Sequence, residues 1–294
     1  MPLDPARILA AEPRSTRISW AEKDVQLYHL GIGAGPDDLR YTLESRLHVL
    51  PAFATVAGGG APGVIRALSV PGVDVDLARV LHAGQSLTVH RPLPTRATAT
   101  AVSEVTAVHD KGNAALLVLR TEVSDTDGPL WTEEAQTYVR GEGGWGGARG
   151  PSARPTLPAG PPWRTVTRAV RADQALLYRL SGDLNPLHAD PEFAARAGFD
   201  RPVLHGLCTY GMALKAVVDT LLGGEVGRVR SYRARFTGVV YPGETLSLDL
   251  WPPEGDPDAV PGSGESGAPG AVRLVARAVG REETPVLDGT VRFG

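Results

Sequence analysis

The sequence lacks the features of several protein classes. Cys208 is the only cysteine, which excludes an internal disulfide and argues against a secreted, disulfide-built scaffold. The longest apolar runs are interrupted by charge or glycine well before bilayer-spanning length. The N-terminus shows no basic region followed by an apolar one, and the C-terminal VRFG is not a peroxisomal address. We therefore expect a cytoplasmic protein without membrane contact.

A strong excess of one charge is also missing. The formal net charge is -3, from 30 Lys and Arg against 33 Asp and Glu, so no global field draws the chain to nucleic acid. With 294 residues the chain exceeds the common size of one domain. We expect two packed units, or one large one, and no nucleic-acid partner.

Two segments are too rich in Gly and Pro for regular structure. Residues 141–162 divide the chain near its middle, which predicts an N-terminal unit at 1–145, a linker at 146–162 and a C-terminal unit at 163–294. Residues 252–270 lie between strand-like segments and predict a long, poorly ordered loop.

The two halves resemble each other in order and chemistry. A shift of 150 residues places Tyr28 on Tyr178. The further pairs are Leu30 with Leu180, Gly33 with Asp183, Gly35 with Asn185, and Asp38 with His188. The first copy therefore lacks the polar groups of the second, and we expect only the second half to support a reaction.

Hydrophobic periodicity predicts a central helix in the second half, over residues 206–224. Gly223 and Gly224 supply its stop. Its apolar side is formed by Leu207, Gly211, Leu214, Val218 and Leu221. Alternating strands follow, so a helix is succeeded by an antiparallel sheet. The first half has similar strands but a weaker helical segment, LPAFATVAG, whose short length leaves space for an apolar ligand.

The stretch SGDLNPLHADP combines Asp183, Asn185 and His188. On a helix, Asp183 and His188 would point about 140° apart. Gly182 and Pro186 instead favour a kinked loop, in which both side chains can face one point. A nearby Asp commonly holds an imidazole with one nitrogen free for proton transfer. The alternative is a polar turn.

Other chemistries fit this region less well. Asp190 is expected only to cap the helix PEFAARA. The separations of Asp183, His188 and His205 match no recognised zinc spacing, so we predict no metal. Cys208 lies on an apolar helix face, where a small thiol is usually inert.

Gly206 opens the long helix, where free backbone N–H groups and the helix dipole favour negative charge. Without a side chain, Gly206 would let a substrate carbonyl approach its N–H closely. The alternative is that glycine is needed for tight packing on the sheet. His205, immediately before it, is predicted to contact the substrate.

These motifs resemble a known family. The pattern Y-R-L-S-G-D-x-N-P-L-H-x-D-P, followed by G-F-x-x-P-V-L-H-G-L-C-T, is similar to the signature of R-specific enoyl-CoA hydratases, the MaoC-like or hydratase 2 family. The segments DVQLYHLGIGA, LPAFATV, DKGNAALLVL, RGEGGWGG and YPGETL resemble its two-repeat members. The resemblance implies an α+β double hotdog, in which each repeat wraps an antiparallel sheet around a central helix.

The resemblance also implies roles for individual residues. Asp183 and His188 would form the catalytic pair, Asn185 would assist, and Gly206 would donate to an oxyanion. The first repeat would be catalytically silent and would house the acyl chain. Because water adds to an enoyl thioester polarised by the enzyme, no cofactor is needed.

The substrate would be an acyl-CoA thioester, whose phosphates need cationic partners. Arg235, on strand-like alternation, and Lys111, in the DKGN turn, are candidates, although a solvated strand face explains such residues equally well. A dehydratase acting on carrier-protein thioesters, a thioesterase and a noncatalytic acyl-thioester binding module stay open as alternatives. The sequence also leaves open a homodimer.

Overall fold

The computed structural model describes residues 3–59, 62–151, 160–252, 270–281 and 285–294. Each half of this described chain contributes five strands to one antiparallel sheet. The strands of the first half are β1 (Arg14–Trp20), β2 (Val80–Val89), β3 (Ala97–Asp110), β4 (Ala114–Asp125) and β5 (Gly128–Arg140). Those of the second half are β6 (Arg164–Ala169), β7 (Val229–Phe236), β8 (Thr245–Trp251), β9 (Gly270–Ala278) and β10 (Pro285–Phe293).

The strand order repeats about the middle of the sheet. The order is β1-β3-β4-β5-β2-β7-β10-β9-β8-β6, so each half uses the same sequence of strands from its outer edge inwards. The halves join where β2 pairs with β7 in antiparallel register, from Gly84 opposite Arg235 to Thr88 opposite Ser231. The topology therefore contains the repeat that the sequence suggested, while the exact boundaries at 145 and 163 stay a prediction.

The predicted central helix of the second half is present as α7 (Gly206–Leu221). Every residue from Leu207 to Val218 is buried, because the helix packs on β7 and β10 and also against the first half. A helix that is covered on all sides needs apolar and small residues all round rather than one stripe. Helical structure stops at Leu221, and Gly223 takes a left-handed φ of 59° just after it.

The first half has no long helix of this kind among its described residues. LPAFATV forms a buried six-residue 3-10 helix, Pro51–Val56, followed by left-handed Gly58 and Gly59. The α-helices of this half are α1 (Pro5–Leu9), α2 (Glu22–Gly31), α3 (Leu39–Thr42) and α4 (Gly63–Arg66), with 3-10 helices at Glu44–Arg46, Ala67–Ser69 and Leu77–Arg79. The prediction of a shorter first helix is confirmed.

Short helices also lead into the central helix of the second half. They are α5 (Gln174–Tyr178) and α6 (Pro191–Arg196), with 3-10 helices at Arg179–Ser181 and Pro186–His188, and a further 3-10 helix, Val226–Arg228, follows α7. Asp190 accepts hydrogen bonds from the backbone N–H groups of Glu192 and Phe193, which confirms its predicted capping of α6. No helix of the described chain is long and apolar enough to cross a bilayer.

The two halves share one core. Tyr28 of α2 and Tyr178 of α5, which the 150-residue shift superimposes, contact each other with ring centroids 6.0 Å apart. The thiol of Cys208 donates to the Gly31 carbonyl at 3.4 Å, and burial raises its pKa. This buried, protonated thiol agrees with the inert role predicted for Cys208.

The described part of the Gly-rich segment folds around one carboxylate. Asp110 accepts hydrogen bonds from the backbone N–H groups of Gly112, Gly144 and Gly146 at 2.7–2.9 Å, and these bonds lower its pKa. Residues 142–151 form neither helix nor strand, as predicted. The loop predicted within 252–270 falls on residues 253–269, which lie outside the described residues.

Candidate active site

The stretch between α5 and α6 is the kinked loop that its Gly and Pro residues predicted. Gly182 takes a φ of 126°, which favours glycine, and ends the turn Arg179–Ser181. Asp183 Oδ1 accepts from the backbone N–H of Asn185 at 3.2 Å. Asn185 Oδ1 in turn accepts from Leu187 N–H at 3.0 Å and caps the next turn. Asn185 therefore shapes the loop.

This loop brings Asp183 and His188 together. Ligand-type atoms of Asp183, His188 and His205 all lie within 4.8 Å of one another. His188 and His205 are buried, whereas Asp183 is partly exposed. On a helix, the side chains of Asp183 and His188 would point apart. The loop instead places both of them in one polar cluster.

The protonation state of His188 is set by its surroundings. Its Nδ1–H donates to the Val203 carbonyl at 2.8 Å, which leaves Nε2 with the lone pair. Burial lowers the pKa of His188, and this effect is opposed by the Asp183 charge and the Val203 hydrogen bond. His188 is therefore a neutral imidazole with a basic nitrogen available.

His205 lies directly against this imidazole. The two rings stack with centroids 3.7 Å apart and 27° between their planes. His205 Nε2–H donates to the backbone carbonyl of Asp183 at 3.1 Å. Its Nδ1 is buried and has no hydrogen-bond partner among the described residues. Burial, followed by the electrostatic interaction with His188, lowers the pKa of His205 well below its usual value.

The stacking disfavours metal binding by these two imidazoles. A metal ion is bound in the plane of each imidazole, about 2.0 Å from nitrogen. The centroids of the two rings lie 3.7 Å apart and their planes are inclined by only 27°. The two planes therefore meet farther from the rings than a metal–nitrogen bond reaches. The stacked arrangement therefore disfavours His188 and His205 as two ligands of one zinc ion, although their ligand atoms lie within 4.8 Å of one another.

A cavity of about 460 Å³ opens beside the cluster. Its size falls in the usual range for small-molecule sites. The second half contributes Asn185, His188, Gly206, Thr209 and Phe236 to its wall. The first half contributes mainly apolar residues, which are Val64, Ile65, Val80, Leu81 and Tyr138, together with His82 and Arg140. Both halves thus build one largely apolar pocket, although Gly33 and Gly35 are not among its lining residues.

Gly206 presents a backbone donor to this cavity. It begins α7, and its N–H has no acceptor among the described residues. A Cβ placed on Gly206 would lie 3.3 Å from the Phe236 ring. The close contact supports the packing explanation for this glycine, and the oxyanion-donor role of its N–H stays a prediction.

Lys111 and Arg235 lie outside the cavity lining. Lys111 Nζ donates to the backbone carbonyls of Arg149 and Pro151, which anchors the Gly-rich segment. Burial lowers the pKa of Lys111, and the charges of Arg149 and Arg235 lower it further. The three side chains therefore form a basic cluster, in which Arg235 is exposed and directly precedes the cavity residue Phe236.

Comparisons with known proteins agree with the architecture. A family model described as MaoC like domain matches residues 155–257, and one described as MFE-2 hydratase 2 N-terminal domain matches residues 18–141. Enoyl-CoA hydratase ChsH3 of Mycobacterium tuberculosis is 47% identical over 257 residues, covering 85% of this chain and 90% of its own. The chain belongs to the MaoC-like hydratase 2 family.

Further relatives span most of the chain. The 3-hydroxyacyl-thioester dehydratase Y of M. tuberculosis is 42% identical, covering 85% of this chain and 88% of its own. The peroxisomal enoyl-CoA hydratase 2 of Arabidopsis thaliana is 36% identical, with coverages of 83% and 85%. The predicted family is therefore confirmed.

Solved structures confirm the predicted double hotdog. The MaoC-like dehydratase from Phytophthora capsici superimposes with a TM-score of 0.84 at 29% identity, over 99% of this chain and 97% of that one. The M. tuberculosis protein Rv0216, described as a double hotdog, superimposes with a TM-score of 0.58 over 99% of this chain and 98% of its own. At 16% identity the latter shows the fold alone.

In the first repeat, the segment that corresponds to the loop of Asp183 and His188 takes part in an ion-pair cluster. Asp38, which the shift places on His188, contacts Lys215 Nζ at 2.9 Å. Lys215 also pairs with Asp219 at 2.8 Å, and Asp219 accepts from the Tyr41 hydroxyl at 2.9 Å. Each of these groups is paired within the cluster. The catalytic silence of the first repeat stays a prediction.

His82 was not identified from the sequence. It lies at a β-bulge in β2, lines the cavity, and its Nε2–H donates to the Gly84 carbonyl at 3.0 Å. Burial lowers its pKa to about 4, so the ring is neutral. The available signal was the glycine at position 84, two residues after His82, because a glycine inside a strand often marks a β-bulge. Bulges often occur next to active sites.

Proposed function

We propose that this chain is a hydro-lyase that adds water reversibly to trans-2-enoyl-CoA and forms (3R)-3-hydroxyacyl-CoA. The observation that carries this proposal is that His188 and the free N–H of Gly206 border the same cavity, with Asp183 beside His188. The names of the relatives, enoyl-CoA hydratase and 3-hydroxyacyl-thioester dehydratase, describe the two directions of one reaction.

The first requirement is polarisation of the thioester. The Gly206 N–H, at the N-terminus of α7, donates to the substrate carbonyl oxygen, on which negative charge collects as water attacks C3. The α7 dipole adds to this stabilisation. A single donor of this kind is typically worth about 10²–10³ in rate.

The second requirement is proton transfer. Asp183 and His188 hold the water, take up its proton as the C3–O bond forms, and return a proton to C2. His188 suits this task because Nδ1–H is held by Val203 and Nε2 keeps its lone pair. Acid–base catalysis of this kind contributes typically about 10²–10⁴. Asn185 assists by fixing the loop that carries both groups.

The remaining parts of the substrate find complementary surfaces. The apolar first-repeat wall, including Val64, Ile65 and Leu81, suits the acyl chain. The basic cluster of Lys111, Arg149 and Arg235 suits the phosphates of CoA. The reaction requires no cofactor. We assign it to fatty-acid metabolism, and the single cysteine favours a reducing compartment such as the cytoplasm.

A stereospecific hydration assay tests the function. Crotonyl-CoA and longer trans-2-enoyl-CoA substrates are supplied, and the handedness of the product is measured. We expect the 3R product and no release of free CoA. Formation of the 3S alcohol would contradict the proposal, release of CoA would indicate a thioesterase, and binding without turnover would indicate a noncatalytic module.

One alternative substrate has specific support. The relative named 3-hydroxyacyl-thioester dehydratase Y and the basic cluster near the cavity also fit a thioester carried on an acidic carrier protein. Parallel kinetics with CoA-linked and carrier-linked substrates separate the two. We expect the higher kcat/KM with CoA, and a preference for the carrier would favour the dehydratase.

We also infer a homodimer. Leu176, Leu180 and Leu184 are exposed on adjoining turns, and Leu30 of the neighbouring α2 is exposed as well. Exposed apolar groups of this kind favour self-association. Light scattering is expected to give twice the chain mass for the wild type and the mass of one chain for Leu180→Asp.

A further inference from the structure

His205 is a polar residue in an almost wholly buried position. It is 1% exposed, and it is not among the residues that line the cavity. The sequence predicted substrate contact for this residue because it precedes Gly206. Its placement behind the cavity wall indicates a different task.

The contacts of His205 are concentrated on the two groups proposed to move protons. Its Nε2–H holds the backbone carbonyl of Asp183 at 3.1 Å, and its ring supports one face of the His188 ring at 3.7 Å. Tyr178 packs against His205 with ring centroids 4.9 Å apart. One side chain therefore contacts both the main chain of Asp183 and the ring of His188.

We propose that His205 is a positioning residue for the Asp183–His188 pair, holding Asp183 through its main chain and His188 through ring stacking. This inference rests on the proposed hydratase function. A phenylalanine would stack without leaving a polar atom unpaired, whereas His205 Nδ1 is buried without a partner among the described residues. Because such an atom is costly to bury, the hydrogen bond to Asp183 explains why a polar ring occupies this site.

The charge state of His205 supports this role. The groups that face it are His188, Asp183, Arg179 and Tyr178. Burial, and then the electrostatic interaction with His188, lower the pKa of His205, against a smaller raising effect of the Asp183 carbonyl. A neutral His205 leaves the basicity of His188 intact, whereas a charged ring at 3.7 Å would oppose its protonation.

Two variants separate the hydrogen bond from the stacking. His205→Phe keeps a planar ring and loses the donor, whereas His205→Gln keeps an amide donor and loses the ring. Since a misplacement near 1 Å can cost about 10²-fold, we expect kcat for crotonyl-CoA hydration to fall by about 10- to 100-fold in each, with KM within about threefold of wild type. Glu192→Gln, at an exposed position on α6, is the matched control with wild-type kinetics.

The pH dependence distinguishes positioning from a general loss of structure. In His205→Gln, water reaches His188, so the pKa of His188 rises towards its ordinary value and the acid limb of kcat/KM moves to higher pH. In His205→Phe, the His188 ring stays covered and the limb stays in place. Wild-type kcat in both variants, or a change in KM alone, would overturn the proposal.

The same shift can be measured without turnover. NMR titration of His188 in the substrate-free protein is expected to give a higher pKa in His205→Gln than in wild type or His205→Phe. If the wild type fails to hydrate crotonyl-CoA, the proposed function fails, while this titration still tests the contact with His188. Equal His188 pKa values in all three proteins would overturn the positioning role.

Discussion

His82 of the first repeat packs against Phe236 of the second, with ring centroids 4.8 Å apart. Phe236 in turn borders Gly206, the proposed oxyanion donor, so the first repeat reaches the proposed reaction centre through one aromatic ring. This contact spans the β2–β7 junction of the sheet. The geometry around Gly206 therefore depends on residues of both repeats.

Gly206→Ala is expected to lower kcat for enoyl-CoA hydration by about 10²–10³. The new Cβ would lie 3.3 Å from the Phe236 ring, so the ring must shift or the helix N-terminus must move away from the carbonyl. Gly35→Ala, which introduces a methyl with no atom within 4 Å, is the control with wild-type rate. A fully active Gly206→Ala would show that the methyl displaces neither the ring nor the helix N-terminus enough to affect the reaction, and would reject a requirement for glycine at this position.

Asp183→Asn and His188→Ala are expected to abolish hydration, with circular dichroism and thermal unfolding showing a folded chain. Asn removes the charge but keeps the size of the side chain, and Ala removes the basic Nε2. The double variant is expected to be no slower than the slower single variant, because residues that act as a unit are not additive. Full residual activity of either single variant would reject the acid–base pair.

The acid limb of the kcat/KM profile is expected to lie below pH 6.5, the ordinary pKa of histidine. His188 must be neutral to accept a proton, and burial lowers its pKa. Activity is therefore retained as pH falls through 6.5 and is lost only through the lowered value. A midpoint above 6.5 would contradict the neutral, buried base.

Lys111→Ala and Arg235→Ala are each expected to raise KM for crotonyl-CoA by about fivefold, which corresponds to about 1 kcal/mol for an exposed ionic contact. Crotonyl-pantetheine lacks the nucleotide phosphates and serves as the matched control substrate. Its KM is expected to stay at the wild-type value in both variants. An equal rise for both substrates would place these residues outside the CoA contact.

Acid is expected to destabilise the fold through His29. Its Nδ1–H donates to the Tyr41 carbonyl at 2.9 Å and its Nε2 accepts from Leu50 N–H at 3.2 Å, so the folded state requires the neutral ring. Burial lowers its pKa from 6.5 to about 4. The unfolded chain therefore binds the proton first, and stability present above pH 6.5 is lost as pH falls towards 4.

Urea unfolding at several pH values measures this effect. Because one proton changes the free energy of unfolding by about 1.4 kcal/mol per pH unit, the wild-type slope between pH 6 and 4.5 is expected to exceed that of His29→Gln by about this amount. His29→Gln is expected to be less stable than wild type at pH 7, since it loses a hydrogen bond. Parallel slopes would contradict the assignment.

Local chemistry made much of the loop and sheet predictable. Gly182 and Pro186 exclude a regular helix around Asp183, so the convergence of Asp183 and His188 could be inferred from adjacent residues. The core position of α7 followed from its periodicity, although its burial on every side did not, and Asp190 followed from its position before Pro191. Such features depend on contacts within a few residues of the chain.

Contacts between distant segments were not predictable in the same way. His82 enters the cavity only because β2 pairs with β7, and Lys215 meets Asp38 only when α7 crosses the first repeat. The stacking of His205 on His188 likewise depends on the path from α6 to α7. One sequence carries no direct signal for the distances that these chain paths create.

The cavity is lined by residues of both repeats, so the surface offered to the acyl chain and the groups proposed to move protons can change separately in evolution. Substitutions at Val64, Ile65 or Leu81 would reshape the space offered to the acyl chain while Asp183 and His188 keep their loop. Under the proposed function, substitutions at these first-repeat positions change the apolar surface and leave the loop of Asp183 and His188 unchanged. Enzymes of this kind can therefore come to accept different acyl groups through substitutions in one half, while the other half keeps the residues of the common reaction.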